Sequence, residues 1–344
     1  MHEAVTTLLR RERPVEAPVW RSFWDRLREG GLRKGESVAL LASLATRVPD
    51  RTTLTGFLDS LSGHRPAEVP DEVGAAVNIV GTGGGPRTFN ISTAAALVAA
   101  AMGVRVVKTG SRAYTGGLGS VDLLELLGVP LTTSYDETRA SLEEYGIAFA
   151  GAFVYPPELG LLARHVQPLD IRQLGGFVNA FGPFLARMPA QAQLTGVADA
   201  RLVTGLRHAG GHLARGGVRS VWLCTNDAGA DELVSFVPNR VYTCEGTWED
   251  EFVLDPSRLG LRPGSPDELR PRPTHPVAHF HEVLSGRGAP VAAETVALNA
   301  AALAVAGRLT GDWGAALDAA RAVIQDGRAV GLLCRMRSSA AAHV

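Results

Sequence analysis

Lysine is nearly absent from this chain. Of 34 Lys and Arg residues only Lys34 and Lys108 are lysine, and 35 Asp and Glu bring the net charge to −1. That balance excludes the basic stripe of a nucleic-acid binder. Cysteine is scarce too. Cys224, Cys244 and Cys334 lie far apart with no Cys-x-x-Cys pair, which implies neither a disulfide framework nor a thiolate zinc site. Long apolar runs are missing as well. None reaches the ~20 residues a bilayer span needs, and the longest candidate, 94–107, carries Arg105. The early residues are charged throughout, unlike a secretory leader. We expect a soluble, cytoplasmic protein with no nucleic-acid and no membrane partner. Aromatics make up 6% of the chain, and Trp20, Trp24, Trp222, Trp248 and Trp313 show no stacking pattern, so most read as core.

What is present is a 46% hydrophobic chain of 344 residues, enough for one large domain or two unequal ones. Up to about residue 64 the apolar spacing is helical. Helices are predicted over 21–29, 36–47 and 53–61, and 63–70 reads as a linker. From residue 75 strands and helices alternate: strand 77–80, helix 92–102 closed by Gly103, strand 104–107, helix 120–127 closed by Gly128, strand 129–132. Such alternation predicts an α/β fold with a mostly parallel sheet. Further strands are predicted at 147–149, 220–224 and 240–243, and alanine-rich helices over 295–336.

The densest signal is Val80-Gly-Thr-Gly-Gly-Gly-Pro-Arg-Thr-Phe-Asn-Ile-Ser-Thr93, followed by Val107-Lys-Thr-Gly-Ser-Arg112. Glycines 81, 83, 84 and 85 let backbone N–H groups close around an anion. Thr82 sits in the same turn. Asn90, Ser92 and Thr93 stand at a helix start, where the dipole favours negative charge. Pro86 breaks the dinucleotide pattern, and no Gly-Lys-Ser/Thr follows for a nucleotide-triphosphate loop. Lys108 ends the next strand as a point charge suited to phosphate. Arg112 serves likewise or is simply solvated. Thr115 and Ser120 are further candidate phosphate contacts, Ser120 doubling as a helix cap. His275, His279 and His281 read as a solvated loop, and the acidic run Glu245, Glu249, Asp250, Glu251 as a solvated hairpin.

These motifs resemble the anthranilate phosphoribosyltransferase family, whose signatures run GTGGD, TFNIST and KHGNR. The resemblance extends through Gly119–Gly128, Val178–Leu185, Gly229–Glu232, Phe252–Leu261 and the tail near Leu298–Ala302. It implies a helical domain (1–68, with a returning segment near 165–190) packed on an α/β domain (69–344). Phosphoribosyl pyrophosphate (PRPP) would bind at the hinge with Mg²⁺, Asp231 and Glu232 would lie at the metal, and homodimers are common. A magnesium site of one or two carboxylates, waters and ligand phosphates agrees with this. The expected reaction is transfer of 5-phosphoribose from PRPP with release of pyrophosphate.

The acceptor side departs from the family pattern. The glycine turn ends in Gly85 rather than aspartate and is one residue shorter. The family's histidine and anthranilate-touching asparagine become Thr109 and Ser111. Where an arginine reads the anthranilate carboxylate, the chain runs Pro168-Leu-Asp-Ile-Arg-Gln-Leu174, with Asp170 near the expected positive charge and Arg172 beside it. Ser111, Thr109, Asp170 and Arg172 are therefore the candidate acceptor residues. They lead to the expectation of a non-anthranilate acceptor, an amine or hydroxyl such as an aminocyclitol or amino sugar. An ordinary anthranilate enzyme of tryptophan biosynthesis stays open, as do a nucleoside phosphorylase and a non-catalytic binder of phosphorylated ligands.

Overall fold

The computed structural model describes residues 1–62, 76–112, 117–188 and 190–342. The expected linker at 63–70 and the candidate contact Thr115 lie outside them, as does the side chain of Arg172.

Four helices open the chain: α1 (Glu3–Arg10), α2 (Ala17–Arg28), α3 (Lys34–Thr46) and α4 (Arg51–Ser62). None buries its apolar face alone. They close on one another and on a later segment, α8 (Pro157–His165), α9 (Ile171–Leu174) and α10 (Gly176–Phe181). Aromatic rings hold this packing. Phe57 meets Trp20 at 5.1 Å and Phe177 at 5.4 Å, and Phe177 stacks on Phe181 at 4.4 Å. The indoles keep their polar ends satisfied, with Trp20 Nε1 donating to Thr53 O and Trp24 Nε1 to Ser60 Oγ. Truncating a ring such as Phe57, 1% exposed, would cost about 3–5 kcal/mol.

The larger layer is a seven-stranded sheet in the order β3-β2-β1-β4-β5-β6-β7. Its strands are β1 (Val77–Gly81), β2 (Val106–Lys108), β3 (Ile147–Phe149), β4 (Ala192–Gly196), β5 (Ser220–Asn226), β6 (Asn239–Glu245) and β7 (Trp248–Leu254). Strands β1 to β5 run parallel, and β6 and β7 are antiparallel. The α/β expectation with a mostly parallel sheet therefore stands. Alanines on α5 (Ile91–Ala101) let it approach α13 (Pro290–Ala306) closely over the sheet. Among the described residues no helix is long and apolar enough to cross a membrane.

Three readings are corrected. The stretch read as a solvated histidine loop forms a helix over Pro276–Leu284, in which His279 is buried. The predicted strand 129–132 contributes only an isolated bridge from Thr132 to Ala150, because the chain bends there into α7 (Tyr135–Tyr145). Strand β4 went unread. Ala-Gln-Leu-Thr-Gly carries two polar side chains, yet every residue is buried. Its polar groups are satisfied inside the sheet: Asn78 Nδ2 donates to Gln193 Oε1, and Gln193 Nε2 donates to Thr195 Oγ1.

Candidate active site

The strand order reverses between β1 and β4, because β2 and β3 lie on one side of β1 and β4 and β5 on the other. In an open parallel sheet this switch point leaves a crevice at the carboxyl ends of the strands. Gly81, Lys108, Gly196 and Asn226 are those ends.

The glycine turn leaves β1 there. Gly83 and Gly84 take φ of +69° and +86°, a region side chains avoid. Gly81, Gly85 and Gly196 serve a different need, the close approach of the turn 229–232. A Cβ at Gly81 would stand 2.1 Å from Asp231 Oδ2, one at Gly85 2.7 Å from Gly229 O, and one at Gly196 1.7 Å from Asp231 O. Gly83 N–H donates to Asp231 Oδ2 at 2.8 Å. Gly85, where the resemblance led us to look for a carboxylate, is thus explained by backbone packing.

The acidic turn is fixed by asparagines. Asn226 Nδ2 donates to Ala230 O and Glu232 O, and its Oδ1 accepts from Ala230 N. Asn299 on α13 accepts from Leu233 N and donates to Leu233 O. Lys108 is 4% exposed, and its Nζ donates to Ile79 O at 3.1 Å. Burial pulls its pKa from the usual 10.5 down to about 8, against the opposing charges of Glu232 and Asp231. Burial likewise pushes both carboxyls up, Glu232 well above the usual range because Asp231 faces it. Glu232 Oε2 is buried without a hydrogen-bond partner.

Such an orphaned oxygen beside a second carboxylate suits a hard divalent cation. Among the described residues no cluster of three His, Cys, Asp or Glu forms, so protein groups alone do not cage a metal. The pair could hold Mg²⁺, which keeps waters and takes ligand phosphates for the rest of its shell.

Past the glycine turn Asn90 directly precedes α5, and its side chain donates to Leu118 O rather than capping the helix. The first-turn N–H groups near Ser92 and Thr93 have no intrahelical partner. Thr93 is fully buried, and its Oγ1 too is without a partner. The turn, Lys108, Asp231 and Glu232 thus gather at the carboxyl ends of the central strands, and α5 starts a few residues past the turn.

Other candidates fall elsewhere. Thr109 is fully buried, and its N–H and Oγ1 both donate to Asn78 Oδ1. Ser120 is the first residue of α6 (Ser120–Leu127) rather than its cap, and its Oγ donates to Ser111 O at 3.4 Å. Ser111 is exposed. Arg112 pairs with Asp122 at 2.7 Å and with Glu125 on α6, not with the phosphate space. Asp170 lines an open cleft of about 920 Å³ with Lys34, Arg164 and His165, and none of the glycine-turn residues lines it.

The sequence reading missed Asn179. It sits on α10, and its Nδ2 donates to Thr82 O at 2.6 Å, tying the helical layer to the glycine turn. A lone asparagine inside the apolar run Phe177-Val-Asn-Ala-Phe181 was the available signal.

Comparison with known proteins agrees with this fold. The glycosyl transferase family, a/b domain, matches residues 73–330. The anthranilate phosphoribosyltransferase of Cenarchaeum symbiosum is 35% identical over 313 residues, 90% of each chain. That of an Arthrobacter species is 34% identical over 90% of this chain and 87% of its own. The crystal structure of the Thermus thermophilus anthranilate phosphoribosyltransferase superposes with a TM-score of 0.77 at 30% identity, covering 99% of both chains. The yeast enzyme, solved with PRPP and Mg, shares the fold at 20% identity and a TM-score of 0.75, over 95% of this chain and 92% of its own. This chain belongs to the anthranilate phosphoribosyltransferase family of glycosyl transferases; it is by class a PRPP-dependent phosphoribosyltransferase.

Proposed function

We propose that the crevice binds PRPP with Mg²⁺ and transfers its 5-phosphoribosyl group to the amine of anthranilate. The anomeric C–O bond breaks, a C–N bond forms, and pyrophosphate and one proton leave. The observation that carries the donor half is the gathering of Lys108, the Asp231–Glu232 pair and the Gly83–Gly84 turn at one end of the sheet. Breaking the bond gathers negative charge on pyrophosphate, so fixed N–H groups and a buried cation lower the barrier. Asp231 and Glu232 would hold Mg²⁺, which supplies charge neutralisation on the diphosphate when bound. The start of α5 would take the remaining phosphate oxygens.

The relatives' names support anthranilate as the acceptor. The expectation of another acceptor has lost part of its footing, since Thr109 points inward and Gly85 answers to packing. Exposed Ser111 and the acidic Asp170 still favour a second reading, an amine-bearing acceptor without a carboxylate. Pyrophosphate release from PRPP and Mg²⁺ is to be followed with anthranilate, then with amines, aminocyclitols and amino sugars. Release with anthranilate supports the main reading, and release only with another acceptor replaces it. Lys108→Ala should slow turnover by about a hundredfold or more. Unchanged turnover and PRPP binding would remove the phosphate assignment.

A further inference from the structure

Thr82 C=O and Gly83 N–H belong to one peptide group, and each end is held by a different part of the molecule. Asp231 Oδ2, from the turn after β5, accepts the N–H at 2.8 Å. Asn179 Nδ2, from α10, donates to the C=O at 2.6 Å. The second contact is tight, because a Cβ on Gly83 would lie 2.7 Å from the same Nδ2. Asn179 is itself anchored, since its neighbours Phe177 and Phe181 are buried among the aromatic rings of the helical layer.

The orientation of this peptide decides where the turn's N–H groups point. An anion nest depends on that orientation more than on side-chain chemistry, since its donors are main-chain groups. We propose that Asn179 is a positioning residue for the glycine turn: with Asp231 it clamps the Thr82–Gly83 peptide from opposite ends, so that a residue of the helical layer sets the affinity for pyrophosphate. This inference rests on the proposed phosphate site. Asn179 touches no reacting atom, and its effect falls on donor binding rather than on the acceptor.

The test is calorimetric titration of the full chain with inorganic pyrophosphate in the presence of Mg²⁺, on wild type, Asn179→Ala, Asn179→Ser and Lys108→Ala. Loss of one short, oriented hydrogen bond should weaken pyrophosphate binding about tenfold in both Asn179 variants. In turnover the KM for PRPP should rise by a similar factor, while kcat and the acceptor KM stay within about twofold. Asn179→Ser stays uncharged and polar but is too short to reach the Thr82 carbonyl, so it decides the matter if Asn179→Ala fails to fold. A merely structural role would lower the melting temperature and move both KM values together, which would overturn the proposal. Unchanged pyrophosphate affinity in the Asn179 variants with a loss in Lys108→Ala overturns the clamp and leaves the site standing. No loss in any variant overturns both.

Discussion

The surroundings of the glycine turn and those of the candidate acceptor residues are built in opposite ways. On the donor side, backbone and buried charge meet at contacts too close for a single extra carbon: Gly81, Gly85 and Gly196 all face the 229–232 turn. Among the candidate acceptor residues Ser111 is exposed, and the cleft holding Asp170 is open and lined by long flexible side chains such as Lys34 and Arg164. A diphosphate is recognised by many main-chain donors at once, which a sequence satisfies only with particular residues at particular strand ends. An acceptor is recognised by a few side chains on loops, where substitution is cheap to the fold.

The largest expected effect is on the tight side. Gly196→Ala would put its Cβ 1.7 Å from Asp231 O, a backbone atom that no side-chain rotation can move. It should abolish pyrophosphate binding and cost about 3 kcal/mol of stability, read by calorimetry and chemical denaturation. Near-wild-type binding would mean that the acidic turn does not depend on that approach.

The next effect is a pH dependence with two opposite signs. Lys108 titrates at about 8 when folded and at its usual 10.5 when unfolded. Between these values the unfolded chain holds the extra proton, so the contribution of Lys108 to stability rises with pH. Its cation is lost over the same range, so pyrophosphate affinity should fall as pH rises through about 8. Lys108→Arg, whose guanidinium stays charged, should lack that fall. An identical profile in both proteins would assign the titration to another group.

A smaller effect separates a binding role from a structural one at Thr93. Replacing its unpartnered buried hydroxyl by the methyl of Thr93→Val should leave stability equal or up to about 1 kcal/mol higher, while pyrophosphate binding weakens about tenfold. Wild-type affinity would exclude the hydroxyl as a phosphate donor. The smallest effect belongs to the open side. Ser111→Asn should change the acceptor KM by about three- to tenfold and leave pyrophosphate affinity alone. A shift in pyrophosphate affinity instead would join Ser111 to the donor half.

Much of the local structure around the glycine turn was legible because it is set by short segments. Positive φ at Gly83 and Gly84, a helix start at Asn90 to Thr93 and a lysine at a strand end are properties of short segments. The long, periodic α2, α3 and α4 were legible for the same reason. Strand β4 was not, since its Gln193 and Thr195 look solvent-facing until Asn78 and Thr109 arrive to pair with that polar network.

By itself the sequence determined the alternation of strands and helices, the left-handed glycine turn after β1, and the lysine that ends β2. Each follows from backbone freedom, periodicity or charge within a few residues of chain. Only the tertiary structure decided that Gly85 and Gly196 make room for the Asp231 turn, that Thr109 faces inward, and that Asn179 holds the Thr82 carbonyl across 97 residues of chain. Those outcomes depend on which distant segments the sheet order brings within a few ångströms, and no local pattern encodes that distance.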